Sequence, residues 1–189
     1  MKLKNSKSQG FLQQGKSIEK GLHFAMQNGD LLPFSSIYDF TLRHFDKFSS
    51  KLTKQTRLAR RKELYFLLKK GFSVLKQING EYMKNSSNFD VKIGSLTYKC
   101  RSDFDFKRNN KKICIELKVT SKPVEWPGIK HIRQALKYAK ANDSVTSIVY
   151  LSKMKKNNKI RVNTKIFDVW EMKKNVKLSP ELTKVSCYI

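Results

Sequence analysis

Glu116 and Lys118 stand two residues apart, and in an extended strand that spacing puts a carboxylate and an ammonium on one face. The triplet alone carries little weight: fifteen acids and 32 lysines in 189 residues predict about 2.5 acid-x-Lys triplets by chance. Four occur, namely Asp90-x-Lys92, Asp105-x-Lys107, Glu116-x-Lys118 and Glu171-x-Lys173. Their surroundings separate them. Asn109-Asn110 signals a hairpin turn, because Asn tolerates positive φ. A two-residue turn there pairs residues whose numbers sum to 219, and a four-residue loop over 108–111 keeps the same register. Asp103 then faces Glu116, Arg101 faces Lys118 and Asp105 faces Cys114, while Phe104 meets Ile115 and Phe106 meets Ile113 on the other, apolar side. No other triplet has a matching acidic strand beside it.

Facing carboxylates repel each other, and a divalent cation between them removes the repulsion. Mg2+ or Mn2+ suits a pair of hard oxygen donors with open positions for water. Asp103 and Glu116 are the expected ligands, with Asp105 as second choice. Such an ion polarises a phosphodiester and acidifies a water, while Lys118 can hold that water or offset charge on the phosphorane. The bland reading of the same residues is a solvated outer face on an edge hairpin.

The elements that must position these residues follow from periodicity. Residues 1–15 are polar and expected to be mobile. Ile18, Leu22, Ala25 and Met26 give a short helix from Ser17 to about Asn28, ended by Gly29, and Ile37, Phe40, Phe45 and Phe48 a second after Pro33. A long helix over about Thr53–Gln77 carries Leu58, Tyr65, Leu68, Phe72 and Leu75 on its core arc and a basic surface elsewhere. Between Phe89 and Ser121 the period becomes 2, giving one strand through Leu96–Phe106 and another over Lys112–Thr120. Ile129–Asn142 is then a helix and Ser144–Leu151 a buried strand, with a further element around Ile166–Met172. The boundaries expected are a basic helical extension over 1–52, a core over 53–170 and a Lys-rich segment over 171–189.

Forty Lys and Arg against fifteen Asp and Glu give a formal charge of +25 along the whole length. Such a surface favours a polyanion, because each cation that meets a phosphate releases condensed counterions. DNA is the expected partner, with RNA not excluded. No apolar stretch near 18 residues and no amphipathic helix with a clean basic face suggests a membrane. Cys100, Cys114 and Cys187 are odd in number and widely spaced, which excludes a disulfide framework, a zinc knuckle and a four-cysteine iron–sulfur cluster. With no apolar leader at the start, an intracellular location is expected.

Together these residues resemble the PD-(D/E)XK nuclease superfamily, whose signature is an Asp at the start of one strand followed about a dozen residues later by E-x-K on the next. Asp103 lies 13 residues before Glu116, and Ser102 replaces the usual Pro. Gln134-Ala-Leu-Lys-Tyr138 on the following helix resembles the Q-x-x-x-Y motif of the RecB-like and phage-exonuclease-like branch, and its i, i+4 spacing sets both side chains on one helix face. The resemblance covers roughly residues 54–151. It implies an α/β fold with a restriction-endonuclease-like αβββαβ core, its mixed central sheet flanked by helices, behind an N-terminal helical extension. It also implies Mg2+-dependent cleavage of DNA leaving 5′-phosphates, endonucleolytic ahead of exonucleolytic, with a homodimer as a common arrangement. Asp103, Glu116, Lys118, Gln134 and Tyr138 would form the catalytic set.

Relatives often add an acid from the first helix. Glu63 is the natural candidate although it lies off the apolar arc, Glu19 with His23 is an alternative, and both are by default surface charges. Arg57, Arg60, Arg61, Arg101, Lys130, Arg133 and Lys137 are candidates for phosphate contact, and Tyr98 and Trp126 for base stacking. His131 is by default polar helix surface. A different class of function fits the same composition: a non-catalytic nucleic-acid-binding protein on a nuclease-like fold, or a basic subunit of a nucleoprotein assembly.

Overall fold

The computed structural model describes residues 6–84, 88–93, 95–156 and 159–169. Three helices come first: α1 (Ser6–Asn28), α2 (Phe34–Phe48) and α3 (Lys54–Lys76), with a 3-10 turn over Gly29–Leu31. α1 starts well before the expected Ser17, so most of the polar stretch expected to be mobile is helical. Its amide side chains account for this, since Gln14 is fully buried and its Nε2 donates to the Arg60 carbonyl at 2.9 Å. The helix ends as expected at Gly29, whose φ of 57° is easily reached only without a Cβ. α3 is capped by Thr53, whose hydroxyl accepts from Thr56 N–H.

The α3 face that packs inward overlaps the expected one only in part, at Leu68 and Leu75. Arg60, Glu63, Leu64, Leu67, Leu68, Gly71, Val74 and Leu75 are buried, whereas Leu58 and Tyr65 are exposed. Two apolar arcs compete on this helix. The aliphatic arc joins the core, and Tyr65 sits edge-on to Phe34 and Tyr38 in an aromatic cluster at the surface.

The strands are β1 (Glu81–Met83), β2 (Asn88–Ile93), β3 (Leu96–Arg101), β4 (Phe104–Arg108) and β5 (Lys111–Thr120). Helix α4 (Ile129–Asn142) follows, with the expected bounds, and then β6 (Val145–Lys156) and β7 (Lys159–Asp168). A five-stranded sheet has the order β1-β4-β5-β6-β7, and β2 with β3 forms a separate two-stranded hairpin. The chain is thus mixed α/β with a five-stranded mixed sheet and a helical N-terminal part. Residues 170–189, including Glu171-x-Lys173 and the end of the element expected near Met172, lie outside the described residues.

Two expectations about the hairpin meet different outcomes. The register holds: Phe104 pairs with Ile115, Asp105 with Cys114 and Phe106 with Ile113, around Asn109 and Asn110 at φ 48° and 61°. Positive φ at both turn residues matches the twist of the strands they join. The single strand expected through 96–106 is instead broken at Ser102–Asp103. Ser102 Oγ donates to the Asp105 carboxylate and Asp103 Oδ2 accepts from Leu117 N–H, so side chains make the hydrogen bonds where the chain bends. Arg101 therefore pairs with Asn88 in the β2–β3 hairpin, not with Lys118.

The described residues fall into two compact units. One lies within 1–78, 118–124 and 150–164, the other within 79–117, 125–149 and 165–169. In the first, α1 packs on α2 and α3 at close range: a Cβ on Gly21 would lie 1.9 Å from Thr41 Oγ1 and 2.9 Å from a Leu68 methyl. Gly21→Ala should therefore lower stability by about 3 kcal/mol, the upper end for overpacking a filled core. Chemical denaturation of the two proteins checks this, and an unchanged midpoint would contradict the close packing.

Candidate active site and basic groove

Asp103, Glu116, Gln134 and Tyr138 come together in the second unit. Asp103 sits in the bend before β4, and its Oδ2 accepts from Leu117 N–H on β5 at 2.7 Å. That bond ties the acid to the strand that carries Glu116. Glu116 is 1% exposed, on a strand with neighbours on both sides, so the reading of a solvated face on an edge hairpin fails.

On α4 the Gln134 side-chain amide donates to the Tyr138 hydroxyl, and that hydroxyl hydrogen-bonds the Glu116 carboxylate. Burial raises the Tyr138 pKa first, and the charges of Glu116 and Asp103 raise it further. The phenol thus stays protonated and donates a hydrogen bond to Glu116. Both carboxylates act on the same buried phenol, so they share one small region of negative potential. Lys118 is half-buried, two residues further along β5.

Asp105 has another role. It is fully buried, accepts from Ser102, and pairs with Lys112 at 3.0 Å. Its compensation is local, as a buried charge requires. Burial together with the Asp105 charge pushes Tyr82 up to about 12, and burial first, with the Asp105 charge adding, pushes Cys114 up to about 11. Cys114 is accordingly a neutral thiol in the core. The sequence missed this cluster, although Ser102 and Lys112 flanking an inward Asp were its available signal.

Glu63 is not the surface charge expected. At 3% exposure it accepts from Gln14 and Arg60 at Oε2, 3.0 and 3.1 Å, and from Lys153 at Oε1, 2.6 Å. Both oxygens are committed within the first unit, which makes Glu63 a structural acid there. Arg60 also turns inward, its guanidinium 3.5 Å from the Phe11 ring centroid, and so leaves the phosphate-contact set. Arg61 lies at the surface 3.5 Å from Asp46, and Arg57 is half-buried. Glu19 and His23 form an i, i+4 pair at 4.0 Å.

The remaining basic candidates gather in the second unit. Arg101 and Tyr98 on β3, with Lys130, Arg133 and Lys137 on α4, line one open cavity of about 490 Å³. Gln134 and Tyr138 line it too, so it reaches the Glu116 hydrogen-bond chain. His131 is half-buried on α4. Trp126, exposed, meets Phe167 edge-on at 5.9 Å and is not part of this cavity's lining.

Asp103 and Glu116 offer hard oxygen donors, and among the described residues no group of three or more His, Cys, Asp or Glu side chains forms a metal cage. Carboxylate oxygens are the kind of donor that a hard ion such as Mg2+ or Mn2+ takes while keeping several of its own waters. No helix among the described residues is long and apolar enough to cross a membrane.

No family model and no curated protein matches the chain. Among solved structures, the crystal structure of SSO0001 aligns with 83% of this chain and 76% of its own, at 16% identity and a TM-score of 0.38.

The Glu63 network makes a pH-dependent prediction. Burial alone would raise its pKa, but hydrogen bonds from Lys153 and Gln14 and the charges of Lys153 and Arg60 outweigh it and hold the carboxyl below its ordinary 4.5. A depressed folded pKa contributes stability above the unfolded value that is lost as pH falls through the folded one. Glu63→Gln should cost about 3 kcal/mol at neutral pH, the scale for breaking a buried pair. That gap should close as pH drops below 4.5. Denaturation midpoints of parent and variant across pH check it; a gap independent of pH would contradict the network's charge.

Proposed function

We propose that this protein is a metal-dependent nuclease of the PD-(D/E)XK type, with its centre at Asp103, Glu116 and Lys118 and with Gln134 and Tyr138 in support. The observation that carries the reading is the hydrogen-bond chain from Gln134 through Tyr138 to Glu116. The E-x-K and Q-x-x-x-Y motifs lie 16 residues apart between Lys118 and Gln134. Glu116 of the first and Gln134 and Tyr138 of the second share one hydrogen-bonded network.

Further support comes from the element order. Leaving aside the β2–β3 hairpin, the chain runs α3, β1, β4, β5, α4, β6, the αβββαβ succession that the resemblance implies. Asp103 and Glu116 would hold Mg2+ or Mn2+, and that ion when bound would polarise the phosphodiester and lower the pKa of a coordinated water. Tyr138 keeps its proton and fixes the Glu116 carboxylate in one orientation, as outer-shell partners of metal ligands do. Lys118 would place its ammonium where it can orient the attacking water or offset charge on the phosphorane. DNA is the proposed substrate, with RNA as the alternative, and the net charge of +25 supplies long-range attraction for either.

A non-catalytic nucleic-acid-binding protein is the competing reading, favoured by the basic cavity taken on its own. Metal-dependent digestion separates the two. With Mg2+ and linear or circular DNA, Glu116→Gln and Lys118→Ala should each cut about 1000-fold more slowly than the parent. Tyr138→Phe and Gln134→Ala, which disturb only support, should fall about 10- to 100-fold. Melting curves show which variants remain folded. If folded Glu116→Gln and Lys118→Ala cut as fast as the parent, or if the parent binds DNA but cuts under no metal, the nuclease reading is wrong.

A further inference from the structure

The β2–β3 hairpin lies outside the five-stranded sheet, and its role is unassigned by the proposed centre. It packs against α4 through two aromatic contacts. Phe89 on β2 meets the Tyr138 ring edge-on at 5.4 Å, and Lys137 on α4 places its Nζ 4.1 Å from the Tyr98 ring centroid on β3. The first contact is buried on the Tyr138 side, while Tyr98 keeps 38% of its surface exposed. Tyr98 thus presents part of its ring to solvent while Lys137 holds it through a cation–π contact. Its position is specific, because it opens on the cavity lined by Arg101, Lys130, Arg133 and Lys137.

We infer that the hairpin and α4 together form a binding groove for single-stranded nucleic acid, with Tyr98 as a stacking platform for one unpaired base. The chemistry of the lining selects that occupant. Cations on both walls suit a phosphate backbone, and a flat ring at the same place suits the face of a base, which a duplex keeps stacked inside the helix. A duplex would use the cations and leave the ring idle. Lys137 braces the ring from its own side and can offer its charge to a phosphate alongside, so one residue serves both parts of the ligand. The inference assigns a strand preference to the groove beside the proposed centre, and it rests on that reading only for what happens to the strand afterwards.

Binding in EDTA tests the groove without cleavage. Fluorescence anisotropy of the full chain would be measured with a labelled oligothymidylate, an oligouridylate and a DNA duplex of equal length. The parent should bind the single strands more tightly than the duplex. Tyr98→Ala should weaken single-strand binding roughly 10-fold, within the range for losing one stacked base, and change duplex binding less than twofold. Tyr98→Phe should bind like the parent because it keeps the ring. Lys137→Gln and Arg133→Gln should weaken both ligand types and flatten the salt dependence. Comparing the two oligonucleotides tells DNA from RNA, and a Tyr98→Ala loss with either supports the groove. Equal binding by Tyr98→Ala and the parent, or an equal loss for single strand and duplex, overturns it and leaves a general polyanion site. The two readings fail separately. If folded Glu116→Gln cuts like the parent while the Tyr98 effect stands, the centre is lost and the groove is kept; the opposite pattern removes the groove alone.

Discussion

The pairing register of β4 with β5 is the constraint on which the candidate site depends. A slip of one residue would send every side chain of one strand to the opposite face, exchanging Glu116 with the apolar Ile115 and Leu117. Two devices fix it. Asn109 and Asn110, both at positive φ, set a two-residue turn whose twist admits only this pairing, and Phe104 and Phe106 lock their apolar face against Ile115 and Ile113. Asp103 then reaches Leu117 N–H beyond the end of the ladder, so its place is a consequence of the register as well.

The buried carboxylates of this basic chain take different kinds of partner. Asp105 is held by Ser102 and Lys112, Glu63 by Gln14, Arg60 and Lys153, and Glu116 by Tyr138. The first two are neutralised by cations at hydrogen-bond distance. Glu116 instead accepts a hydrogen bond from a neutral phenol, which orients the carboxylate. The same surplus of cations that neutralises Asp105 and Glu63 also lines the wall of the cavity beside Tyr98.

Local signals were legible where one stretch of chain decides its own structure. The α4 bounds, the Asn-Asn turn, the β5 strand and the end of α1 at Gly29 all follow from spacing, turn chemistry and the absence of a Cβ. The inward face of α3 was legible only in part, because its apolar residues lie on two arcs that share Leu68 and Leu75, and packing against α1 and α2 chooses between them. Glu63 was read as surface for a related reason. A carboxylate looks exposed in a sequence until its cations are known, and Lys153 lies 90 residues away. Likewise the break at Ser102–Asp103, which removes Arg101 to a separate hairpin, coincides with side-chain hydrogen bonds that strand periodicity does not register.

By itself, then, the sequence determined which residues could share a strand face or a helix face, because the pleat and the helical turn are periods of the backbone. It placed Asp103, Glu116 and Lys118 in one hairpin, and Gln134 beneath Tyr138 on one helix. Tertiary structure decided whether those faces are buried and what they meet. Only folding brings α4 to β5, so that Tyr138 donates to Glu116, and only folding sets Tyr98 across from Arg133 and Lys137. Those contacts join residues distant in the chain, and their energies depend on burial, which no local period encodes.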